Sequence, residues 1–303
     1  MFDDHSFALC LTHDVDRPRK RYRSLYYAIR DRRPGHLRDL LPGRNPYWQF
    51  ETMMALEEDL GVRSAVYVLN EPHILRRGLG GLLDPTDWVQ HLGRYDIDDP
   101  SLVEALRALE TGGWEIGLHG SFHSYTDRDR LRHEKSTLEE HLEGRVVGGR
   151  QHYLNLRIPE TWRHHAAIGL RYDASLGSST TYGFQHGYRP LRPFGDDFVV
   201  FPLTVMEATL PDPGSDFEAA WAACERLLAE AAANDAVMTA LWHPRFFSVV
   251  DFPGYKRLYR RLVERALERG AWVGSPAACY RQLDLDRDCV GGFDEGMVEL
   301  TKA

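Results

Sequence analysis

A chain of 303 residues, 43% apolar and 27% charged, can bury a full core as one large α/β domain or two small ones. Its net charge of −8 gives no reason to expect nucleic acid as a partner. No basic stretch leading into a long apolar one opens the chain, no segment is long enough to span a bilayer, and the four cysteines suggest neither a CxxC pair nor a disulfide framework; the expectation is a soluble, cytoplasmic protein.

The first strand is read at Phe7–Leu11, followed by Thr12-His13-Asp14-Val15-Asp16. In extended backbone residues i and i+2 point to the same side, so both carboxylates can face one cavity. Residues Arg17 to Arg44 then break the pattern, with ten Lys/Arg against two acids and Tyr22, Tyr26 and Tyr27 interleaved. Such a run reads either as a solvated basic helix or as an arm that attracts an anionic, phosphate-bearing substrate through Arg19, Lys20 and Arg21. A helix at Tyr47–Leu60 precedes a strand at Ser64–Leu69, and a helix at Ser101–Glu110 precedes a strand at Trp114–Leu118.

Behind that strand stands His119-Gly120-Ser121-Phe122-His123. On a helical turn i and i+4 share a face, so His119 and His123 could offer two imidazoles to one metal ion. A helix at Arg128–Leu142 and a strand at Arg145–Gly149 lead to Arg150-Gln151-His152-Tyr153. Arg150 could hold a carboxylate ionised through a bidentate pair. A helix at Pro159–Ile168, strands at Arg171–Ser175 and Val199–Leu203, a helix at Phe217–Ala233 and a strand at Val237–Leu241 bring the chain to Trp242-His243. A helix at Tyr255–Arg269 and a strand at Trp272–Gly274 close the series, and 284–303 reads as a polar tail.

Strand–helix alternation over this length predicts a parallel α/β architecture, most simply a barrel. The polar clusters all lie at strand ends, the face of a barrel on which active sites form. Together they supply one carboxylate and two imidazoles for a divalent cation. They also supply a second carboxylate to take a proton from water and a His to protonate a leaving group.

At these residues the sequence resembles the polysaccharide deacetylases, carbohydrate esterase family 4, over roughly 7 to 283. The resemblance implies a single-domain distorted (β/α) barrel of seven parallel strands over 1–283, with a basic insertion at about 17–46. It makes Asp14 the general base and Asp16, His119 and His123 the ligands of one divalent ion, zinc first and Co2+, Mn2+, Ni2+ or Fe2+ as alternatives. Arg150 would orient the base and His243, in a Leu-x-His motif, would be the general acid. Gly120 and His152 depart from the family pattern, His152 standing where Pro is usual. The Asp-Trp pair that supports the acid is not recognisable, and Glu207 is taken in its place. Tyr153, Trp242 and Glu207 are the residues expected to face substrate. The implied reaction is removal of an N-acetyl group from a sugar or glycan precursor, with an allantoinase-like opening of a cyclic imide or ureide, or an inactive carbohydrate-binding module, as alternatives.

Overall fold

Strand β1, Ala8–Val15, is buried along its whole length and stands inside the sheet, with neighbours on both sides. The computed structural model describes residues 4–291 apart from 21, 22, 31, 33 and 42. The other strands are β2 (Ala65–Leu69), β3 (Glu115–Gly120), β4 (Gly148–Gln151), β5 (Tyr172–Asp173), β6 (Leu191–Arg192), β7 (Val199–Val200), β8 (Leu203–Met206), β9 (Val237–Leu241), β10 (Trp272–Gly274) and β11 (Val290–Gly291). They form one curled, half-barrel sheet in the order β11-β6-β7-β5-β4-β3-β2-β1-β9-β8, with β10 also on β1. Every pairing is parallel except β6 with β7.

Eleven described strands replace the seven expected. The stretch read as one strand at Val199–Leu203 is two, because Pro202 interrupts it; proline has no N–H to give to a ladder. The two-residue strands β6 and β11 carry too little pattern to read. β11 and the helix Leu285–Asp288 also draw the start of the supposed tail onto the fold, while 292–303 lie outside the described residues.

The helices follow their apolar periodicity. In Tyr255–Glu268 the buried side chains are Tyr255, Leu258, Tyr259, Leu262, Val263 and Ala266, the three-and-four spacing of a single packed face. Phe217–Ala233 has the bounds read from sequence, and Asp216 caps it by accepting from the Ala219 N–H. Such helices cover the outer side of the sheet, where Leu9, Leu11 and Val15 of β1 join their core, while Ala8 and Cys10 pack on the inner side with Tyr67 and Tyr172. This alternation continues into the polar part of β1. His13 points outward and bonds Glu57 of the helix Phe50–Asp59 at 2.7 Å. Tyr259 and Trp114 donate to the same carboxylate. Thr12 and Asp14 point inward.

The basic insertion is anchored rather than loose. It contains a helix at Arg23–Arg30 and a 3-10 helix at Pro34–Leu40. Lys20, 2% exposed, donates to both oxygens of Asp251 at 2.7 and 2.8 Å and to Asp39 at 2.7 Å. The ammonium thus occupies the space that His36, Asp39 and Asp251 could otherwise offer a metal ion. Removing one partner of a buried ion pair leaves the other charges uncompensated, at a cost of about 3 kcal/mol or more. Lys20→Met is therefore expected to release the insertion, seen as rapid proteolysis within residues 17–44 under conditions that leave the unaltered protein intact.

Candidate active site

The inner side of β1 delivers Asp14 and its chain end delivers Asp16 into a cleft of about 290 Å³, also lined by His119, His152, Tyr153, Met206 and His243. β3 and β4 run in register with His119 opposite Arg150. That register depends on Gly149, whose Cβ would lie 2.3 Å from the Leu118 carbonyl oxygen. No side chain fits there, so the two strands approach closely and set Arg150 beside the carboxylates.

Arg150 is fully buried. Its Nη1 donates to Asp14 Oδ1 at 2.8 Å and to Thr12 Oγ1 at 2.8 Å, and its Nε donates to the Ala174 carbonyl at 2.7 Å. The pair with Asp14 runs through Nη1 alone and is not the bidentate fork expected. Burial would raise the Asp14 carboxyl, but Arg150, followed by His119 and His243, outweighs it and holds the group below its usual range. Asp14 is therefore ionised at neutral pH.

Asp16 is shared between two sets of partners. Its Oδ2 is held by Arg245 at 3.1 Å and lies 3.2 Å from His243 Nε2. Its Oδ1 lies 3.1 Å from His119 Nε2 and 3.7 Å from His152 Nε2. His119 Nδ1 sits 2.9 Å from the Arg150 carbonyl. That contact makes Nδ1 a donor. Burial would lower His119, but Asp14 and Asp16 outweigh it and raise the group, so Nε2–H donates to Asp16 Oδ1, the proton standing where a cation between the two would sit. Burial pushes His152 down to about 4, so it is a neutral imidazole with a ligand lone pair.

His243 has the opposite character. Its Nδ1 lies 2.7 Å from Glu207 Oε1, and Glu207 also accepts from the His243 backbone N–H at 3.3 Å. Burial would lower His243, but Glu207 leads the charges that raise it to about 9. The imidazole is therefore protonated at neutral pH.

The geometry brings together Asp14, Asp16, His119, Arg150 and His243, and it places Tyr153 at the rim, 54% exposed with φ +57°. Glu207 lies behind His243, fully buried, and cannot meet substrate. Two further expectations are corrected. His123 does not join His119, because β3 carries His119 in extended backbone through Gly120 and the chain then turns. The i, i+4 relation applies only within a helix. His123 instead meets Asp87 at 2.8 Å. Trp242 is fully buried and packs on Tyr255 and Tyr259 in the outer core, because adjacent residues point to opposite sides of extended backbone.

Sequence reasoning missed His152 and Arg245. Asp16, His119 and His152 each offer a ligand atom, all within 4.8 Å of one another. His152 carried a signal in the sequence, a His where the resembling family has Pro. Arg245 carried none. Its role follows from the 3-10 turn Pro244–Phe247, which folds it back over Asp16. The donor set of one carboxylate oxygen and two ring nitrogens suits a small divalent cation bound at about 2.1 Å. The Nδ1 contact of His119 and the neutral state of His152 fit such an ion.

Of the cations expected to meet a phosphate, Arg19 pairs with Asp99 at 2.7 Å and Lys20 is enclosed by Asp39 and Asp251. Arg21 lies outside the described residues. Among the described residues no helix is long and apolar enough to cross a membrane.

No protein-family model matches the sequence, and neither does any curated protein. Solved structures match it in fold. One, designated a polysaccharide deacetylase from Mycobacterium smegmatis, superposes with a TM-score of 0.62 at 17% identity, covering 97% of this chain and 95% of its own. Puue allantoinase gives 0.57 at 16% identity, covering 92% and 90%. A second protein designated a polysaccharide deacetylase, from Pseudomonas aeruginosa, gives 0.56 at 15%, covering 92% and 91%. The distorted barrel is that of the polysaccharide deacetylases, and this allantoinase superposes on it as well.

Proposed function

We propose that the protein is a metal-dependent amide hydrolase that removes N-acetyl groups from a sugar or glycan precursor. The observation that carries this reading is Asp14 held by Arg150 and His243 held by Glu207 across one cleft, beside the grouped ligand atoms of Asp16, His119 and His152. Environments that push two titratable groups apart assign the base and the acid. Asp16, His119 and His152 would hold the divalent ion, zinc being the one that best suits this donor set. When bound, the ion supplies Lewis-acid polarisation of the amide carbonyl and a more acidic water.

The chain's own residues do the rest. Asp14, fixed by Arg150, accepts a proton from the attacking water. His243, charged through Glu207, returns a proton to the departing amine. Arg245 keeps Asp16 from turning away from the two imidazoles. Tyr153 at the rim is placed to contact the sugar. The likeness to Puue allantoinase supports a second reading, hydrolysis of a cyclic ureide by the same groups.

The test is acetate release from a panel of N-acetyl sugars by the metal-loaded enzyme, with allantoin and a sugar phosphate included. The phosphate arm is included because Arg17 lines the cleft. His243→Ala is expected to slow amide cleavage about a hundredfold or more. It should slow an acetyl ester with a good leaving group far less, since that group departs without a proton. Ring opening of allantoin with no acetate release would replace the first reading by the second. Equal losses on amide and ester would remove His243 from the acid role.

A further inference from the structure

The face beside the cleft carries a surface that the hydrolytic chemistry does not use. On the helix Arg23–Arg30, Leu25 and Ile29 are one turn apart and exposed, Ile29 at 70%, with Tyr26 beside them. Leu40 and Leu41, exposed as well, belong to the same insertion. The insertion is tied through Lys20 to Asp251, and the residues just before it, Val249 and Val250, are 64% and 74% exposed. On the other flank Leu92, also exposed, shares a crevice with Arg17 and Arg23. Exposed apolar side chains scattered singly need no explanation, but several gathered on one insertion and on the loop it is tied to point to a contact surface.

Charge narrows what that contact is. Arg32, Arg38 and Arg44 are exposed among these apolar side chains. Among the described residues, none of the three is ion-paired. Ten cations against two acids make the segment positive on a chain that is negative as a whole. Long apolar side chains interleaved with arginines on short helices are what an anionic bilayer surface takes up: the apolar groups enter the headgroup region and the cations meet lipid phosphates.

We propose that this face docks on a bilayer containing anionic phospholipid. Arg17 belongs both to the cleft and to the crevice beside the patch. Val249 and Val250 closely follow the turn that carries Arg245. Docking would therefore turn the mouth of the cleft toward the membrane. Presentation of a membrane-borne acylated sugar to that mouth rests on the hydrolase reading, whereas docking itself does not.

The test is flotation of the full chain with vesicles of phosphatidylcholine, with and without phosphatidylglycerol, so that binding is read without activity. Binding is expected only to the anionic vesicles, with release at 1 M salt, where the Debye length falls to ~3 Å. Replacing Arg32, Arg38 and Arg44 by Gln should lower partitioning about a hundredfold, roughly a factor of five per cation. Leu25→Ser with Ile29→Ser should also lower it, although charge is unchanged. Both variants should keep the unaltered unfolding midpoint. Absence of binding to anionic vesicles, or binding that survives both sets of changes, would overturn the proposal. Self-association abolished by the Leu25 and Ile29 changes, with no vesicle binding, would overturn it in favour of a second copy of the chain.

Discussion

His152→Ala is expected to abolish binding of the proposed divalent ion, while His123→Ala leaves that binding intact. His152 Nε2 and His119 Nε2 both face Asp16 Oδ1, at 3.7 and 3.1 Å, whereas His123 is engaged with Asp87. Loss of a group that only supports a ligand lowers metal affinity about 10–100-fold. Loss of a direct ligand should cost more, so affinity in His152→Ala should fall by well over a hundredfold. Metal content after gel filtration and a calorimetric titration of the metal-free protein measure this directly. His123 is partly exposed, so its replacement should leave folding and metal content nearly unchanged. The reverse result, metal lost with His123 and kept without His152, would restore the spacing-based assignment.

Asp14→Asn should leave the ion bound and remove activity by about 10²–10⁴-fold, the range for a lost general base. Asparagine preserves the shape and can still accept from Arg150 through its carbonyl oxygen, but it cannot take a proton from water. Arg150 then stays buried without its counter-charge, so a lower unfolding temperature is expected as well. Activity is therefore to be measured well below that temperature. Asp16→Asn should instead weaken metal binding, since Asp16 is the carboxylate that faces both imidazoles. If Asp14→Asn loses the metal and Asp16→Asn keeps it, the two roles are exchanged.

Much of this was legible in the sequence because it rests on periodicity. Asp14 and Asp16 were placed in one cavity by the two-residue repeat of a strand. The helices Phe217–Ala233 and Tyr255–Glu268 followed from their apolar faces. His243 and Arg150 stood out because each ends an apolar run. The candidate ligand set was less legible, since which imidazoles meet depends on how strands stack and not on spacing along one of them. His119 and His152 come together only because Gly149 lets β4 lie against β3. Trp242 was misread for a related reason. Its neighbours Leu241 and His243 line the cleft, and extended backbone sends the residue between them to the other side. The insertion could not be judged from charge alone, because pairing with distant residues such as Asp251 decides which cations remain available.

The two-sided character of β1 has a consequence for how this protein can change. One face of the strand carries Thr12 and Asp14, and the other carries His13, whose ring is gripped by Glu57 and by the Trp242 carbonyl. Substitutions along Ala8–Val15 can be absorbed one at a time. A single-residue insertion or deletion cannot, because it would exchange the two faces from that point onward. It would push the Asp14 carboxylate into the helical layer and the His13 imidazole into the cleft. Homologous strands in working descendants should therefore vary in composition while holding a constant length.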